Sequence, residues 1–356
     1  MSFIYSKKSR YPISYLLIGC VGLLFGMTAC QEDKITTAKE PYKFVAPSNF
    51  PEPTYTFYNN EITKEGFELG KKLFFDPILS VDESTSCSSC HKQSFSFADL
   101  PSNPFSIGIS GLVGTRNAPS LANLAFMQEF FWDGGVTHLD FVPINAIENP
   151  VEMGEGIAAV IAKIKNAPEY PALFQAAFKT TEINMPLLMD ALAQFMLLMV
   201  SNHSKYDAHL QGEANLTEQE LKGLRLFDEH CEHCHAGILF TNQAYFNNGI
   251  DSVFSDSGRA RISANPLDIG KFKVPSLRNV AVTAPYMHNA KFFTLEEVLE
   301  HYSDGLVNSA TLASELIQAN GNLGIPLSAS EKEAIIAFLK TLTDHEFLNN
   351  PIFFEK

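Results

Sequence analysis

The sequence is poor in cysteine and in positive charge, and both shortages exclude classes of protein. Six cysteines in 356 residues are too few for a disulfide scaffold. Lysine and arginine number 26 against 40 aspartates and glutamates, and the net charge of −14 argues against a nucleic-acid-binding protein. No low-complexity segment occurs and 46% of the residues are hydrophobic, which excludes a disordered chain. We therefore expect a folded protein of roughly one to three domains.

The N-terminal segment has the features of an export signal. Basic residues at 7–10 precede an apolar run over 15–27, whose length is nearer that of a signal-peptide core than the roughly 20 residues of a spanning helix. Small residues lead up to Cys30, as in a bacterial lipobox with a lipidated cysteine. The sequence predicts a lipoprotein signal peptide over 1–29 and a polar tether over 30–48. We expect a lipid-anchored protein of the periplasm or cell envelope of a Gram-negative bacterium; an ordinary secretory signal with an incidental cysteine is the alternative.

A short pattern occurs twice in the chain. GxxLF at 70–74 precedes CxxCH at 87–91, and GxxLF at 223–227 precedes CxxCH at 231–235. Two similar units in the same order suggest two domains of one type.

Helical signals dominate the rest of the sequence. Residues 185–200 predict a buried helix that is apolar nearly all round and too short to span a membrane. Two long segments, 76–119 and 240–291, are rich in proline, glycine and asparagine. They predict functional loops that wrap around a large bound group. Capping boxes predict three further helix starts, at Thr217, Thr294 and Ser330.

The CxxCH motif is the attachment signature of c-type haem. Two thiols bind the vinyl groups on one edge of the porphyrin, and the next histidine gives its imidazole to the iron. The two motifs therefore predict two covalently bound haems, held by Cys87, Cys90 and His91 and by Cys231, Cys234 and His235. A four-cysteine zinc site and a thioredoxin-like redox pair are the alternatives. Zinc needs no histidine after each pair, and a βαβ context is absent.

Four further motifs resemble those of bacterial di-haem cytochrome c peroxidases and their MauG relatives. They are WDG at 132–134, NPVEM at 149–153, KFKVPSLRN at 271–279 and APYMH at 284–288. The resemblance runs from about Gly66 to Leu342. It implies an all-α fold of two cytochrome c-like domains packed across an interface, each with one covalently bound haem. We expect the peroxidatic domain at 49–212 and the electron-transfer domain at 213–356.

The resemblance also implies roles for single residues. His91 is expected to bind the peroxidatic iron, with Glu152 as the acid/base on its distal side. Trp132 is expected to lie between the two haems. Without the family, Glu152 reads as a surface or capping carboxylate and Trp132 as a core residue. A calcium site between the domains is implied at Asn117, Thr283 and Pro285.

The sequence departs from the family pattern at three places. Ile109 stands where activation-dependent peroxidases carry a blocking histidine, which implies an iron that is open in the resting state. Tyr302 stands at the sixth-ligand position of the C-terminal haem, which is methionine in the peroxidases and tyrosine in MauG enzymes; Met287 is the alternative ligand. Val142 and Ala146 stand where the family has glutamine and proline, so the distal pocket has lost a polar partner.

The predicted function is reduction of hydrogen peroxide to water. Electrons would come from a small soluble donor, a cytochrome c or a cupredoxin, through the C-terminal haem. Two alternatives are a MauG-like oxidase of a protein or small-molecule substrate through high-valent di-haem iron, and a lipid-anchored electron-transfer cytochrome without turnover. The acidic surface suits a basic cytochrome, although the same charge also keeps a protein soluble. The sequence leaves a homodimer open.

Overall fold

The computed structural model describes residues 42–355, so the predicted signal peptide and Cys30 lie outside the described residues. Within that range the chain forms twelve α-helices and one two-stranded antiparallel ribbon, which agrees with the expected helical class. No helix in this part of the chain is long and apolar enough to cross a membrane. The elements are α1 Lys64–Phe75, α2 Cys87–Cys90, α3 Val142–Glu148, α4 Ile157–Asn166, α5 Tyr170–Phe178, α6 Met185–Leu197, α7 Lys205–Leu210, α8 Glu218–His230, β1 Tyr245–Phe246, α9 Ala260–Ser263, β2 Phe272–Lys273, α10 Leu295–Glu300, α11 Ala329–Lys340 and α12 His345–Leu348.

The glycines of the repeated GxxLF pattern lie where two helices touch. Helix α1 packs against α6, and α8 packs against α11. A Cβ atom on Gly70 would lie 1.8 Å from the carbonyl oxygen of Ala191, and one on Gly223 would lie 1.9 Å from that of Ala334. Because any larger residue would push the backbones apart, both positions require glycine. The sequence repeat therefore reflects the same helix pairing in both halves of the chain.

Buried apolar side chains form two clusters. The larger contains α1 and α6, and the smaller is built around Phe227 of α8 with Ile335 and Phe338 of α11. The buried helix predicted over 185–200 is confirmed as α6, which ends at Leu197.

Both ends of the described chain pack on the larger cluster. The ring of Tyr42, inside the predicted tether, lies 5.3 Å from that of Phe67. Phe347 and Phe353, in the segment assigned to the C-terminal domain, are buried in the same cluster. Residues outside the predicted N-terminal domain, at both ends of the described chain, therefore pack on its cluster. The domain limits themselves stay predictions.

Two of the three predicted capping boxes are confirmed. Helices α8 and α10 begin directly after Thr217 and Thr294. The third prediction is wrong by two residues, because the N-cap of α11 is Ser328, whose partner is Glu331 rather than the pair beginning at Ser330. Both serines have a glutamate three residues later, and the earlier start adds two residues to the helix.

Candidate active site

A cavity of about 940 Å³ lies in the described chain. This volume is near the upper end of the roughly 300–1,000 Å³ typical of ligand and cofactor pockets. Both CxxCH motifs line it, together with parts of the two long loop segments, 76–119 and 240–291. The loops therefore surround a space large enough for an organic cofactor.

The two CxxCH histidines are held in the same way. Nδ1 of His91 lies 2.6 Å from the carbonyl oxygen of Phe97, and Nδ1 of His235 lies 3.1 Å from that of Phe240. Because a carbonyl can only accept, each Nδ1 carries the proton and each Nε2 keeps its lone pair. Burial lowers the pKa of both imidazoles, that of His235 to about 4, so both are neutral at pH 7. A neutral imidazole with its other nitrogen fixed is the form that binds a metal.

The cysteines of the two motifs are half-buried free thiols. Burial raises the pKa of Cys87 and Cys231 to about 12 and that of Cys90 and Cys234 to about 11. Neutral thiols are poor nucleophiles, which opposes the thioredoxin-like alternative. Within residues 42–355 no three cysteine, histidine, aspartate or glutamate side chains are placed to hold a metal ion, so the two CxxC pairs do not form the zinc site. Each half instead presents two thiols and one imidazole to the cavity, the groups that a covalently bound haem requires.

Glu152 lies on the cavity wall near the N-terminal motif. It is within electrostatic range of Cys87 and Cys90. Burial raises the pKa of Glu152 above its usual value, while the hydrogen bond that Asn149 donates to Oε1 at 2.6 Å acts in the opposite direction. A carboxyl group whose pKa is moved towards neutrality suits proton transfer.

Helix α3 forms part of the same wall, with the polar Asn145 and Glu148 among its apolar residues. Val142 and Ala146 line the cavity beside Pro143 and Ile144. The side chain that hydrogen-bonds Glu152 is Asn149, just after this helix. Neither Val142 nor Ala146, the two positions where the sequence departs from the family pattern, supplies a polar group to the cavity.

The loop 106–114 crosses the Glu152 segment. The backbone N–H of Ile109 donates to the carbonyl oxygen of Glu152 at 2.8 Å. The buried side chain of Ile109 sits against Gly154, where an added Cβ would lie 2.5 Å from its Cδ1. From this loop the cavity is lined by Ser106, Gly108 and Gly114. The loop thus presents to the cavity no side chain that binds iron strongly.

Trp132 lines the cavity and is fixed on several sides. Its Nε1–H donates to the carbonyl oxygen of Asn117 at 2.8 Å, and its ring lies 6.5 Å from that of His288. The His288 ring stacks on Phe272 at 3.5 Å between centroids, and burial lowers the pKa of His288 to about 4. The indole is therefore held among neutral aromatic groups in the cavity that both haem motifs share.

A buried ionic network anchors the residue after Trp132. Asp133 is fully buried, and its Oδ2 accepts from Arg116 at 2.7 Å and from Arg261 at 2.6 Å. Arg116 also pairs with Asp256 at 2.6 Å. A buried carboxylate needs such partners, so this network fixes the WDG segment in place.

The predicted calcium ligands come together in part. The side-chain amide of Asn117 lies 2.5 Å from the carbonyl oxygen of Pro285, and the Asn117 backbone N–H donates to the carbonyl oxygen of His288 at 2.8 Å. The Thr283 hydroxyl donates to the carbonyl oxygen of Val280 at 3.2 Å, within its own turn. The structure thus brings Asn117 and Pro285 together, whereas the Thr283 side chain turns back on its own segment.

Tyr302 lines the cavity near the second CxxCH motif. It lies in a π-helical turn, His301–Gly305, that continues α10; such turns are frequent at functional sites. Burial raises the pKa of Tyr302 to about 12, with smaller contributions from Cys231 and Cys234. The phenol is therefore placed beside the thiols that precede His235.

Met287, the alternative ligand, lines the same cavity. Its backbone lies in the left-handed region, with φ of 72°. Asn248 contacts Met287, because its side-chain amide donates to Sδ of Met287 at 3.1 Å, and it lines the same cavity as Tyr302. No motif marks Asn248, whose context at 246–249 reads as an ordinary turn.

Comparison with known proteins identifies the family. The sequence model for di-haem cytochrome c peroxidase matches residues 64–215. The chain is 33% identical over 306 residues to the cytochrome c551 peroxidase of Pseudomonas aeruginosa, covering 82% of this chain and 83% of that protein. The chain belongs to the di-haem cytochrome c peroxidase family. The predicted family is therefore confirmed, and membership makes this protein an oxidoreductase of the peroxidase type and implies two haems.

This chain is also similar to MauG proteins. The methylamine utilization protein MauG of Methylorubrum extorquens is 30% identical over 344 residues, covering 93% of this chain and 94% of that protein. A solved structure, described as a MauG-like protein associated with microbial copper homeostasis, is 33% identical with a TM-score of 0.80. It matches 88% of this chain and 99% of that one. The peroxidase and MauG branches are thus both represented among the relatives.

Proposed function

We propose that this chain reduces hydrogen peroxide to water with electrons from a small soluble redox protein such as a cytochrome c or a cupredoxin. Each peroxide molecule takes two electrons and two protons to give two water molecules. Bound haem would supply the iron at which peroxide is reduced and the route for the electrons. The observation that carries the proposal is the half-buried Glu152 carboxyl group, which shares a cavity with both haem-binding motifs.

Glu152 would move the proton within the peroxide molecule. Because Asn149 holds Oε1, Oε2 remains to accept a proton from the incoming peroxide and to return it to the departing oxygen. The loop 106–114 brings no competing iron ligand to the cavity, which supports an open position in the resting protein.

We place the two haems in two cytochrome c-like domains, 49–212 and 213–356. The matching Nδ1 contacts of His91 and His235 and the matching helix pairs support this arrangement. Trp132 would bridge them. The peroxidatic haem would be held by Cys87, Cys90 and His91, and the electron-transfer haem by Cys231, Cys234, His235 and Tyr302.

A calcium ion is proposed where Asn117 meets Pro285. The amide oxygen and nitrogen exchange places when the side chain flips, so the oxygen of Asn117 can face the same point as the carbonyl of Pro285. Amide and carbonyl oxygens are calcium ligands. The backbone carbonyl of Thr283 is the third proposed ligand, since its hydroxyl faces Val280.

The protein is proposed to be an exported lipoprotein of the periplasm or cell envelope. Lys7, Lys8 and Arg10, the apolar run and the small residues before Cys30 support this placement. In a fractionated host, full-length protein should sediment with membranes, and Cys30→Ser should move it to the soluble fraction. Wild-type protein that is already soluble after export would contradict the lipid anchor.

A second function is favoured by Tyr302. Its phenol, which lines the cavity with the second CxxCH motif, supports MauG-like oxidation of a protein or small-molecule substrate.

Peroxide consumption with and without reduced cytochrome c separates these functions. We expect consumption to require the reduced donor and to oxidise two molecules of cytochrome c per peroxide. Consumption without the donor, coupled to oxidation of another substrate, would favour the MauG-like function. No consumption under either condition would leave an electron-transfer cytochrome.

A further inference from the structure

A lysine on α4 joins two segments that carry parts of the proposed active site. Nζ of Lys163 donates to the carbonyl oxygen of Ser80 at 2.6 Å and pairs with Oε2 of Glu155 at 2.9 Å. A longer contact, at 3.4 Å, reaches the carbonyl oxygen of Val81. An ammonium group carries three hydrogens, so these three oxygens can use all of them. Lys163 therefore bonds to both segments at once.

The first of these segments leads to the N-terminal CxxCH motif. The hydroxyl of Ser80 donates to the carbonyl oxygen of Pro77 at 3.0 Å and accepts from the backbone N–H of Thr85 at 3.1 Å. Ser80 is fully buried, and Thr85 lines the cavity two residues before Cys87. A shift of Ser80 would therefore be passed on to the residues that attach the haem in this half of the chain.

The second segment carries the carboxyl group of Glu152. Glu155 follows it by three residues, and only 13% of the Glu155 side chain is exposed. One backbone bond joins the two segments directly, from the N–H of Val81 to the carbonyl oxygen of Met153 at 2.9 Å. The contacts of Lys163 lie on either side of this bond in the sequence. The segments would thus stay paired without the lysine, but more loosely.

The charge of this lysine keeps three oxygen acceptors together. The carbonyl oxygens of Ser80 and Val81 carry partial negative charge and the Glu155 carboxylate a full one, so they repel one another without a cation between them. The exposed carboxylate of Glu83, 4.0 Å from the ammonium group, would add to this repulsion. A mostly buried carboxylate that loses its partner is destabilised until it reaches water. Removal of the ammonium group would therefore move Glu155 outwards, and Glu152 with it.

We propose that Lys163 is a positioning residue that fixes Glu152 relative to the N-terminal CxxCH motif. The inference rests on the proposed function, in which Glu152 accepts and returns the peroxide proton. Proton transfer needs the two oxygens within hydrogen-bond distance, roughly 2.6–3.2 Å, so a displacement of about 1 Å is enough to slow it. Lys163 thus acts on the reaction through Glu152, although it does not line the cavity.

The test compares the haem-loaded variants Lys163→Met and Lys163→Arg with the wild type in stopped-flow mixing with H2O2. Methionine is long and flexible but has no charge and no hydrogen to donate. We expect Lys163→Met to react roughly 10- to 100-fold more slowly, the usual cost of a misplacement of about 1 Å. Lys163→Arg keeps the charge and several N–H donors, so it should restore most of the rate.

Ligand binding gives a readout that does not depend on turnover. Hydrogen cyanide must lose its proton to bind iron as cyanide, whereas nitric oxide binds without losing one. We expect Lys163→Met to bind cyanide more slowly than the wild type and nitric oxide at the wild-type rate. Slowing of both ligands would indicate a general distortion of the cavity and would contradict the inference.

The same substitution in a Glu152→Gln background tests whether Lys163 acts through Glu152. We expect Lys163→Met to cause no further slowing there, because the group that it positions has already been removed. Slowing that adds to that of Glu152→Gln would show that Lys163 acts elsewhere and would overturn the inference.

Lys165→Met is the matched control. Lys165 lies two residues further along α4 and is exposed, and the variant makes the same change of charge. We expect wild-type rates with both H2O2 and cyanide. Should Lys163→Met fail to bind two haems, Glu155→Met decides: it removes the other partner of the ion pair and should slow both reactions, again only when Glu152 is present.

Two outcomes separate this inference from the function beneath it. Wild-type rates in Lys163→Met, or in Glu155→Met where that variant decides, would overturn the positioning role and leave the role of Glu152 intact. If Glu152→Gln itself reacts like the wild type, the proton-transfer step of the proposed function fails instead.

Discussion

In the proposed reaction, the carboxyl group of Glu152 transfers the proton within the peroxide molecule. Glu152→Gln removes the proton-accepting oxygen but keeps the shape and the contact with Asn149. We expect both haems to bind and the reaction with H2O2 to slow by roughly 10²–10⁴-fold, the usual contribution of a general acid/base. Stopped-flow mixing of oxidised protein with H2O2 measures this rate.

The exposed carboxylate of Glu148 provides the control for that experiment. It lies on α3 and lines the same cavity. Glu148→Gln should react at close to the wild-type rate. A Glu152→Gln variant that slows by less than about threefold would remove Glu152 from the mechanism.

Asn149 sets the pH range in which Glu152 works. Its hydrogen bond favours the charged carboxylate and so lowers the pKa of Glu152 against the effect of burial. Asn149→Asp removes that donor and adds a like charge, so the pKa of Glu152 should rise. Because the unprotonated form accepts the proton, the acid limb of the pH–rate profile should move to higher pH.

The pH profile of the second-order rate constant with H2O2 measures this effect. The rate at high pH should approach that of the wild type, where Glu152 is ionised in both proteins. Asn145→Asp places the same charge about one turn away on α3 and should move the limb less. A limb that stays in place, or moves to lower pH, would show that another group titrates there.

At the scale of elements, the repeated glycines hold the two helix pairs together. Gly70→Ala and Gly223→Ala would each press a methyl group into a carbonyl oxygen of the facing helix. We expect a loss of about 1–3 kcal/mol in the free energy of unfolding for each variant, the usual cost of overpacking. Urea unfolding of the haem-loaded protein measures this free energy.

Gly156 offers a glycine without such a contact. A Cβ there meets nothing within 4 Å. Gly156→Ala should therefore change the free energy of unfolding by less than about 0.5 kcal/mol. Equal free energies of unfolding for all three variants would mean that the paired helices can move apart without cost. The repeated glycines would then have no packing role.

Local signals in the sequence predict the elements well, and distant contacts escape them. The boxes at Thr217 and Thr294 act within one helical turn, so they fix α8 and α10 directly. The box at Ser330 fails because the serine two residues earlier competes with it. The contact of Asn248 with Met287 joins two separated segments, and no local pattern reveals it.

At the scale of the whole molecule, the two halves are tied by buried polar contacts. Arg278 and Asp207 form an ion pair that is almost fully buried, with a nitrogen–oxygen distance of 2.8 Å. The C-terminal tail returns to the larger cluster, where the Lys71 ammonium donates to the carbonyl oxygen of Ile352 at 2.7 Å. The CxxCH spacing predicts each haem separately. That both motifs line one cavity depends on this tertiary packing and could not be read from either motif.

The most direct test of a di-haem peroxidase with an open resting site is a low-temperature electron paramagnetic resonance spectrum of the oxidised protein, taken with its iron content. The loop that carries Ile109 brings no strong ligand to the cavity, whereas Tyr302 lies beside the second motif. We therefore expect two irons per chain, one high-spin and one low-spin, and reaction with H2O2 without prior reduction. Two low-spin signals, with activity appearing only after half-reduction, would contradict this and indicate an activation-dependent peroxidase.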